Sequence, residues 1–266
     1  MLLCALLLFG QQRLLHNKND LLPVIQKTLG VSKVKVRESI MAKKKKDTME
    51  FRFYELPQGE AALVLCGESW VRVYGHEELH LHFHNLMELG ICRQGVGDMF
   101  LDEEVYKYHS GDITIIPENF PHVTVSDGET TNFWEYIFID LRSMIETMFP
   151  GNVAFQNDAV SSLSKRAYMT NERDNHIIAE CINGIIRETN EHKTYSQRAI
   201  ALKVQEIVIE LLRHDASLPE EKNNLVKGTN MSQIASALDY INKHFEEQLK
   251  ACELAELCNM SETHFR

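Results

Sequence analysis

The segment from residue 80 to residue 122 constrains this 266-residue chain more than any other. His82 and His84 alternate along an apolar run, so a β-strand would point both imidazoles to the same face. Glu88 follows His84 by four residues, and His122 lies at the far end of the segment. Two histidines, a carboxylate and a distant histidine suit a divalent first-row metal, with positions left open for water or a ligand. The spacing therefore predicts one ligand or metal site built from several strands.

Short apolar runs recur from residue 49 to residue 142, separated by Gly, Asp, Asn and Pro. Such close spacing is typical of an antiparallel β-barrel or sandwich. In the run at residues 132–139, Trp134 and Tyr136 share one face with Phe138, so this aromatic row is expected to line the interior. Core packing accounts for most of the row, but the polar tips of Trp134 and Tyr136 make these two side chains candidate ligand contacts.

Two stretches of the segment carry a family resemblance. Residues 82–95, HFHNLMELGICRQG, resemble the first motif of the cupin superfamily, and residues 111–122, GDITIIPENFPH, resemble the second. The resemblance implies a cupin-like antiparallel β-barrel of the jelly-roll type. Two positions depart from the pattern, because the first motif's usual glycine lies one place early at Gly75 and Asn119 replaces a glycine after the proline. Asparagine tolerates a left-handed backbone, so the turn at Asn119 is expected to form.

The apolar period changes after residue 142. Apolar residues recur at helical spacing within residues 177–186 and again within 200–212, which predicts two amphipathic helices forming an antiparallel pair. The barrel, the partner helix and a second subunit are alternative partners for their apolar faces. The breadth of one stripe favours a homodimer through residues 176–214. That stripe consists of Ile200, Val204, Val208 and Leu211.

The C-terminal part predicts a helix-turn-helix. Residues 217–230 are polar, which is typical of a linker. Residues 231–266 contain short apolar stripes at helical spacing, separated by a predicted turn at Asn259. Ser261 is expected to cap a recognition helix that places its side chains toward DNA. The candidate DNA-binding residues are Ser261, Glu262, Thr263, His264 and Arg266.

This tail resembles the opening of the DNA-binding domain of AraC-type transcriptional regulators, through Tyr240-Ile241, Leu254-Ala255, Ser261 and Phe265-Arg266. The cupin-like part resembles the effector-binding domain of the same family, and the two occur in the same order. The resemblance implies a cytoplasmic, homodimeric regulator in which a small polar metabolite, foremost a sugar, controls DNA binding. The family's reader domain carries two helix-turn-helix units, and this chain stops inside the first. Lys250 also stands where a capping serine or threonine is common, so DNA binding is expected only from a complete reader.

Five segments follow from these patterns: a disordered leader at 1–48, a cupin-like domain at 49–142, a helical dimerisation segment at 143–216, a linker at 217–230 and an incomplete reader at 231–266. The formal net charge of −10 argues against a generally basic nucleic-acid coat. Cysteines without a C-x-x-C pair are typical of a reducing cytosol. The opening apolar run is only ten residues long, so no membrane partner is expected.

Two functions from different classes fit this sequence. In the first, an effector contacts His82, His84, Glu88, His122, Trp134 and Tyr136, and the protein is a regulator with no catalytic residues and no required cofactor. In the second, the three histidines and Glu88 hold zinc, iron or manganese in a cupin enzyme such as an oxygenase or isomerase. A helix-turn-helix has no use in such an enzyme, so the regulator is favoured. A metal that serves effector binding remains open within the first interpretation.

Overall fold

The computed structural model describes residues 49–75, 81–102, 104–216 and 247–265, together with residues 234, 236–238, 240, 241 and 244. The predicted leader at 1–48 and the predicted linker at 217–230 lie outside the described residues.

The β-strands form two sheets that face each other. One sheet has the order β1-β4-β9-β6-β7, and the other has the order β11-β8-β5-β10-β2, with β3 paired to β10. Strand pairs are antiparallel except for the parallel pair of β1 with β4. The predicted cupin-like, jelly-roll type of fold is therefore confirmed, in the form of a two-sheet sandwich. The strands are β1 Glu50–Arg52, β2 Leu63–Leu65, β3 Val71–Arg72, β4 His82–His84, β5 Met87–Gln94, β6 Val96–Leu101, β7 Glu104–His109, β8 Asp112–Ile116, β9 His122–Ser126, β10 Asn132–Ile139 and β11 Tyr168–Asn171.

The alternation along β10 divides the molecule into two apolar cores. Trp134, Tyr136 and Phe138 point between the sheets and pack with residues from both of them, including Met99 and Tyr108. The intervening residues point to the opposite face of the sheet, where they meet the helices. The predicted aromatic row thus lines the sandwich interior, because successive side chains of a strand face opposite sides.

A left-handed residue connects the two motif regions. Asn119 has φ 59°, as predicted for the position that replaces a glycine. Its backbone N–H donates to the carbonyl oxygen of His84 at 2.7 Å, which ties the turn before β9 to the end of β4. This turn therefore helps to bring the two histidine-bearing strands together.

The helices cover the outer face of the six-stranded sheet. The longest two, α3 (His176–Glu191) and α4 (Ser196–Ala216), pack against each other and against the sheet. The four stripe residues Ile200, Val204, Val208 and Leu211 are all buried in this core. The prediction that this stripe forms a dimer interface is wrong, since the chain's own sheet and α3 cover it. None of the described helices combines the length and hydropathy needed to cross a bilayer. The helices of this part are α1 Leu141–Met148, α2 Val153–Leu163, α3 His176–Glu191 and α4 Ser196–Ala216.

The tail contains two short helices, α5 Ala251–Leu257 and α6 Glu262–Phe265. Asn259 takes a left-handed conformation with φ 53° in the turn between them, as the sequence predicts. Lys250 stands at the N-cap of α5 and makes no side-chain cap, which agrees with its departure from the family pattern. A small separate core holds the tail together through Ala237, Ile241, Leu254, Ala255 and Phe265.

Candidate functional site

Three of the four predicted donor residues meet inside the sandwich. His84 and His122 come from neighbouring strands of the five-stranded sheet, whereas Glu88 comes from β5 of the other sheet. All three are buried, with exposures of 0%, 1% and 4% for His84, His122 and Glu88. The cluster therefore bridges the two sheets in a region from which water is largely excluded.

The side chains converge on the carboxylate of Glu88. His84 Nε2 lies 3.1 Å from Glu88 Oε2, and His122 Nε2 lies 3.6 Å from the same oxygen. One potential ligand atom from each of the three residues lies within 4.8 Å of the others. Two imidazoles and one carboxylate at this spacing are a donor set for a divalent transition metal.

The opposite ring nitrogens show how each histidine is protonated. His84 Nδ1 lies 2.6 Å from the carbonyl oxygen of Leu86, and His122 Nδ1 lies 2.9 Å from that of Phe120. Because a carbonyl oxygen only accepts, each Nδ1 carries a proton and donates it. In the neutral ring each Nε2 then presents a lone pair toward Glu88, which also only accepts. A proton or a metal cation between them resolves this conflict, and a backbone carbonyl behind each ring is the usual support of a metal-bound histidine.

Burial and the neighbouring charges set the ionisation of the cluster. Burial raises the pKa of Glu88, but its interactions with His122 and His84 outweigh this effect and hold the pKa well below the usual range. Burial lowers the pKa of His84 below that of a free imidazole, although the bond to Glu88 opposes the shift. An ionised carboxylate beside a neutral imidazole is the protonation state that a bound metal requires.

His82 lies beside this cluster rather than within it. Its Cα is paired with that of His122 across β4 and β9, and the two ring centroids are 4.2 Å apart. The three-residue donor group does not include His82. Burial, followed by the influence of His122, lowers the pKa of His82 well below the ordinary value. His82 therefore faces the site as a neutral side chain.

The two predicted aromatic ligand contacts are also buried in the interior. Trp134 and Tyr136 are stacked with their ring centroids 6.1 Å apart, and their exposures are 0% and 7%. Burial raises the pKa of Tyr136 well above the ordinary value, so its hydroxyl stays protonated. Only a ligand that enters between the sheets can contact this pair.

Several residues around the interior escaped the sequence analysis. The ring of Tyr54 lies 5.9 Å from that of His84, and Trp70 packs edge-on to Tyr136 at 5.3 Å. The guanidinium of Arg72 lies over the rings of Trp70 and Tyr74 at 4.7 and 4.8 Å. All of these residues come from the stretch before the first histidine motif. Its aromatic content was the available signal, but nothing in its spacing assigns these rings to the site.

Some polar atoms of the interior have no hydrogen-bond partner. Among the described residues, His82 Nδ1, Thr114 Oγ1 and His122 Nε2 are buried and unpaired. Thr114 lies opposite Gly90 in the register of β8 with β5, so its hydroxyl points to the same face as the rings of Trp134 and Tyr136. Buried polar groups normally find partners, and an unpaired group of this kind indicates a place for a ligand, an ion or a water.

The predicted DNA-contacting residues lie at the start of α6. Ser261, Glu262 and Thr263 are exposed. The side chain of His264 and the whole of Arg266 lie outside the described part of the tail. The first three positions are therefore accessible, and their contact with DNA stays a prediction.

A small cavity lies away from this site, between the six-stranded sheet and helices α2 and α4. Met87, Arg166 and Tyr168 contribute to its lining, and its volume is about 20 Å³. This space is sufficient for about one water molecule. It is therefore too small to be an effector site.

Comparisons with known proteins assign most of the described part of the chain to a family. Residues 72–211 match the family model of the AraC-like ligand binding domain. A comparison with curated proteins gives no match. Among solved structures, the AraC-like transcriptional activator CuxR is 14% identical with a TM-score of 0.42, over 67% of this chain and 58% of CuxR. Unsaturated fatty acid bound ToxT from Vibrio cholerae strain SCE256 is 10% identical with a TM-score of 0.43, over 77% of this chain and 70% of ToxT. This chain therefore spans less than two thirds of the length of CuxR.

Proposed function

We propose a regulatory function for this chain, which belongs to the AraC-like ligand-binding domain family. A small polar metabolite, in the first instance a sugar, enters between the two sheets and changes how the tail is presented to DNA. The effect is a shift between populations of conformations rather than a chemical reaction. The observation that carries this proposal is the set of unpaired polar atoms inside the sandwich.

The interior suits a ligand that has both hydroxyl groups and an apolar face. The rings of Trp134 and Tyr136 offer flat surfaces on which a sugar ring stacks, while the hydroxyl of Thr114 offers a hydrogen bond. The imidazoles of His82 and His122 add two further polar positions. These groups come from both sheets, so a bound metabolite would link the two halves of the sandwich.

The donor cluster also supports a metal as part of the effector site. His84, Glu88 and His122 fit zinc, iron or manganese, because both imidazoles turn lone pairs toward an ionised carboxylate. A bound cation would supply Lewis acidity and anchor an oxygen atom of the effector. The same cluster favours a second candidate function, a metal-dependent cupin enzyme such as an oxygenase or isomerase. Effector binding that survives complete removal of metal would favour the regulator over the enzyme.

The test of effector binding is a thermal-shift panel of sugars and other polar metabolites. A true effector at about one hundred times its dissociation constant adds about 2.7 kcal/mol to the free energy of unfolding. For a chain of this size the midpoint should rise by about 5–10 °C. No shift with any compound of the panel, at concentrations up to tens of millimolar, would contradict a polar effector.

Thr114→Val sharpens this test, because the hydroxyl of Thr114 has no partner in the fold. The variant should be at least as stable as the parent, since it removes a buried unpaired group. Effector affinity should nevertheless fall about fivefold, the equivalent of one neutral hydrogen bond. Thr147→Val on α1 is the matched control, because that hydroxyl donates to Ser143 O at 2.9 Å, outside the sandwich. Equal effector affinities of Thr114→Val and Thr147→Val would show that the effector does not contact Thr114.

We also propose a homodimer that uses the exposed side of α4. Leu202 and Ile209 lie seven residues apart on α4 and are 56% and 38% exposed. Apolar residues at this spacing share one side of a helix, along which a second helix can pack. Leu202→Glu should convert a dimer to a monomer in sedimentation while the unfolding midpoint stays close to that of the parent. Leu257→Glu is the control, since Leu257 is 39% exposed but lies in the tail. A dimer that persists in Leu202→Glu would contradict this interface.

The tail is the proposed reader of DNA. We propose that helices α5 and α6, joined by the left-handed turn at Asn259, act as a helix-turn-helix whose second helix enters the major groove. The exposed residues Ser261, Glu262 and Thr263 lie at the start of that helix, where base contacts are usually made. Their role rests on this arrangement and on the family resemblance of the tail.

A further inference from the structure

The strand that carries His82 and His84 has a second contact on its outer face. Phe83 lies between the two histidines, so its side chain points away from the sandwich interior. There it packs against Leu238 of the tail, and each of the two side chains is 7% exposed. Phe51 and Ile234 extend the contact. One short strand therefore touches the candidate site with one face and the proposed DNA reader with the other.

This strand, β4, is held by few main-chain pairings. Among the described residues, β4 pairs with β1 over three positions and with β9 through the single pair of His82 with His122. Its neighbour β1 has only three residues itself, Glu50–Arg52. The ring of Phe51 on β1 lies 5.0 Å from that of Phe83. Side-chain contacts on its two faces therefore contribute much of what fixes the position of β4.

We propose that β4 is the element through which the effector site and the tail influence each other, with contact on one face strengthening contact on the other. The inference rests on the proposed function, since it assigns a route for regulation to the same site. The contact of His84 with Glu88 across the two sheets restrains β4 from the inside, and the packing of Phe83 on Leu238 restrains it from the outside. Restraint from either side reduces the disorder that the other contact must overcome, so the two contacts are positively coupled.

The coupling is reciprocal, because the coupling free energy between two sites is the same in both directions. Loosening the tail should loosen the histidine strand, and disturbing Glu88 should loosen the tail. Leu238 suits the first perturbation, because it belongs to the contact with Phe83 and not to the separate core of the tail. Shortening Leu238 therefore weakens docking and leaves the tail with its own packing residues.

The experiment is amide hydrogen exchange on the 266-residue chain and three variants: Leu238→Ala, Glu88→Ala and the double variant. Leu238→Ala should speed exchange at residues 81–84 about fivefold or more, and Glu88→Ala, which removes the contact with His84, should do the same at residues 234–241. A fivefold change is the lower end of typical coupling between sites. In the double variant, exchange at each segment should rise by less than the product of the factors measured in the two single variants. The reason is that each substitution already removes part of the same restraint on β4.

Two controls separate coupling from general loosening. Leu257→Ala makes the same side-chain change at a 39% exposed position of the tail and should leave residues 81–84 unchanged. Glu135→Ala removes a carboxylate that is 6% exposed and bonded to Arg93 at 2.6 Å, and it should leave exchange at residues 234–241 unchanged. Unchanged exchange of residues 251–257 in Leu238→Ala would show that the tail stays folded.

The inference is overturned if Leu238→Ala leaves exchange at residues 81–84 unaffected, or if Glu135→Ala acts on the tail as strongly as Glu88→Ala does. The exchange measurements need no ligand, so they remain decisive if no effector is found and the proposed function fails. If an effector is found and the exchange shows no coupling, only the inference fails.

Discussion

The chain purified without chelator should carry about one equivalent of zinc, iron or manganese, and His84→Ala should carry less than about a tenth of an equivalent. The expected loss is large because the cluster offers only three protein donors within 4.8 Å. Removing His84 leaves one imidazole and one carboxylate, so a divalent ion keeps only two of its three protein ligands. The measurement is elemental analysis by mass spectrometry after desalting.

His109→Ala is the matched control, because the side chain of His109 is 68% exposed and lies outside the cluster. It should retain the full metal content. Glu88→Gln keeps the size of the side chain and removes its charge, so metal loss in this variant cannot come from a collapsed core. Less than a tenth of an equivalent in the parent chain, with effector binding intact in His84→Ala, would contradict a metal site.

The cluster could be predicted because it depends on two regular features of strands. Alternation places His82 and His84 on one face, and the strand register of a cupin-like fold brings His122 beside them. The sequence could not separate His82 from the donor group. Which nitrogen reaches Glu88 depends on ring orientation, and this is set by carbonyl oxygens that receive the Nδ1 protons of His84 and His122.

The partners of apolar faces were harder to predict than the faces themselves. Helical spacing identified the stripe of α4 correctly, yet periodicity shows only that a face is apolar and not what covers it. In the fold, Ile200 and Val204 lie against α3 and the sheet. The exposed apolar surface of α4 is formed instead by Leu202 and Ile209, which lie between the stripe residues in the sequence.

Phe83 illustrates the same limit within the predicted site. In the sequence it is only the apolar residue between two histidines, and the cupin pattern gives it no separate role. Its contact with Leu238 joins positions more than a hundred and fifty residues apart in the chain. Such contacts depend on tertiary packing, and no local pattern reports them.

Gly97→Ala should be among the most destabilising single changes in the sandwich, at a cost of about 3 kcal/mol. A Cβ at Gly97 would overlap the backbone carbonyl oxygen of Val125 and the hydroxyl of Tyr108. Neither of these two groups can move aside easily. The carbonyl belongs to the strand paired with β6, and Tyr108 is fully buried and bonded to Asn132. For a chain of this size the unfolding midpoint should fall by about 6–12 °C in a calorimetric scan.

Gly184→Ala is the matched comparison, because the same atom is added with the opposite expectation. There the added Cβ would meet only the side chain of Lys203, with Cε at 2.6 Å, and a flexible lysine can move aside. Alanine is favoured over glycine within a helix by up to about 1 kcal/mol, so the midpoint of Gly184→Ala should stay constant or rise slightly. Equal midpoints for the two variants would contradict the close approach of β6 to Val125 and Tyr108, and with it the described packing of the sandwich interior next to the aromatic row.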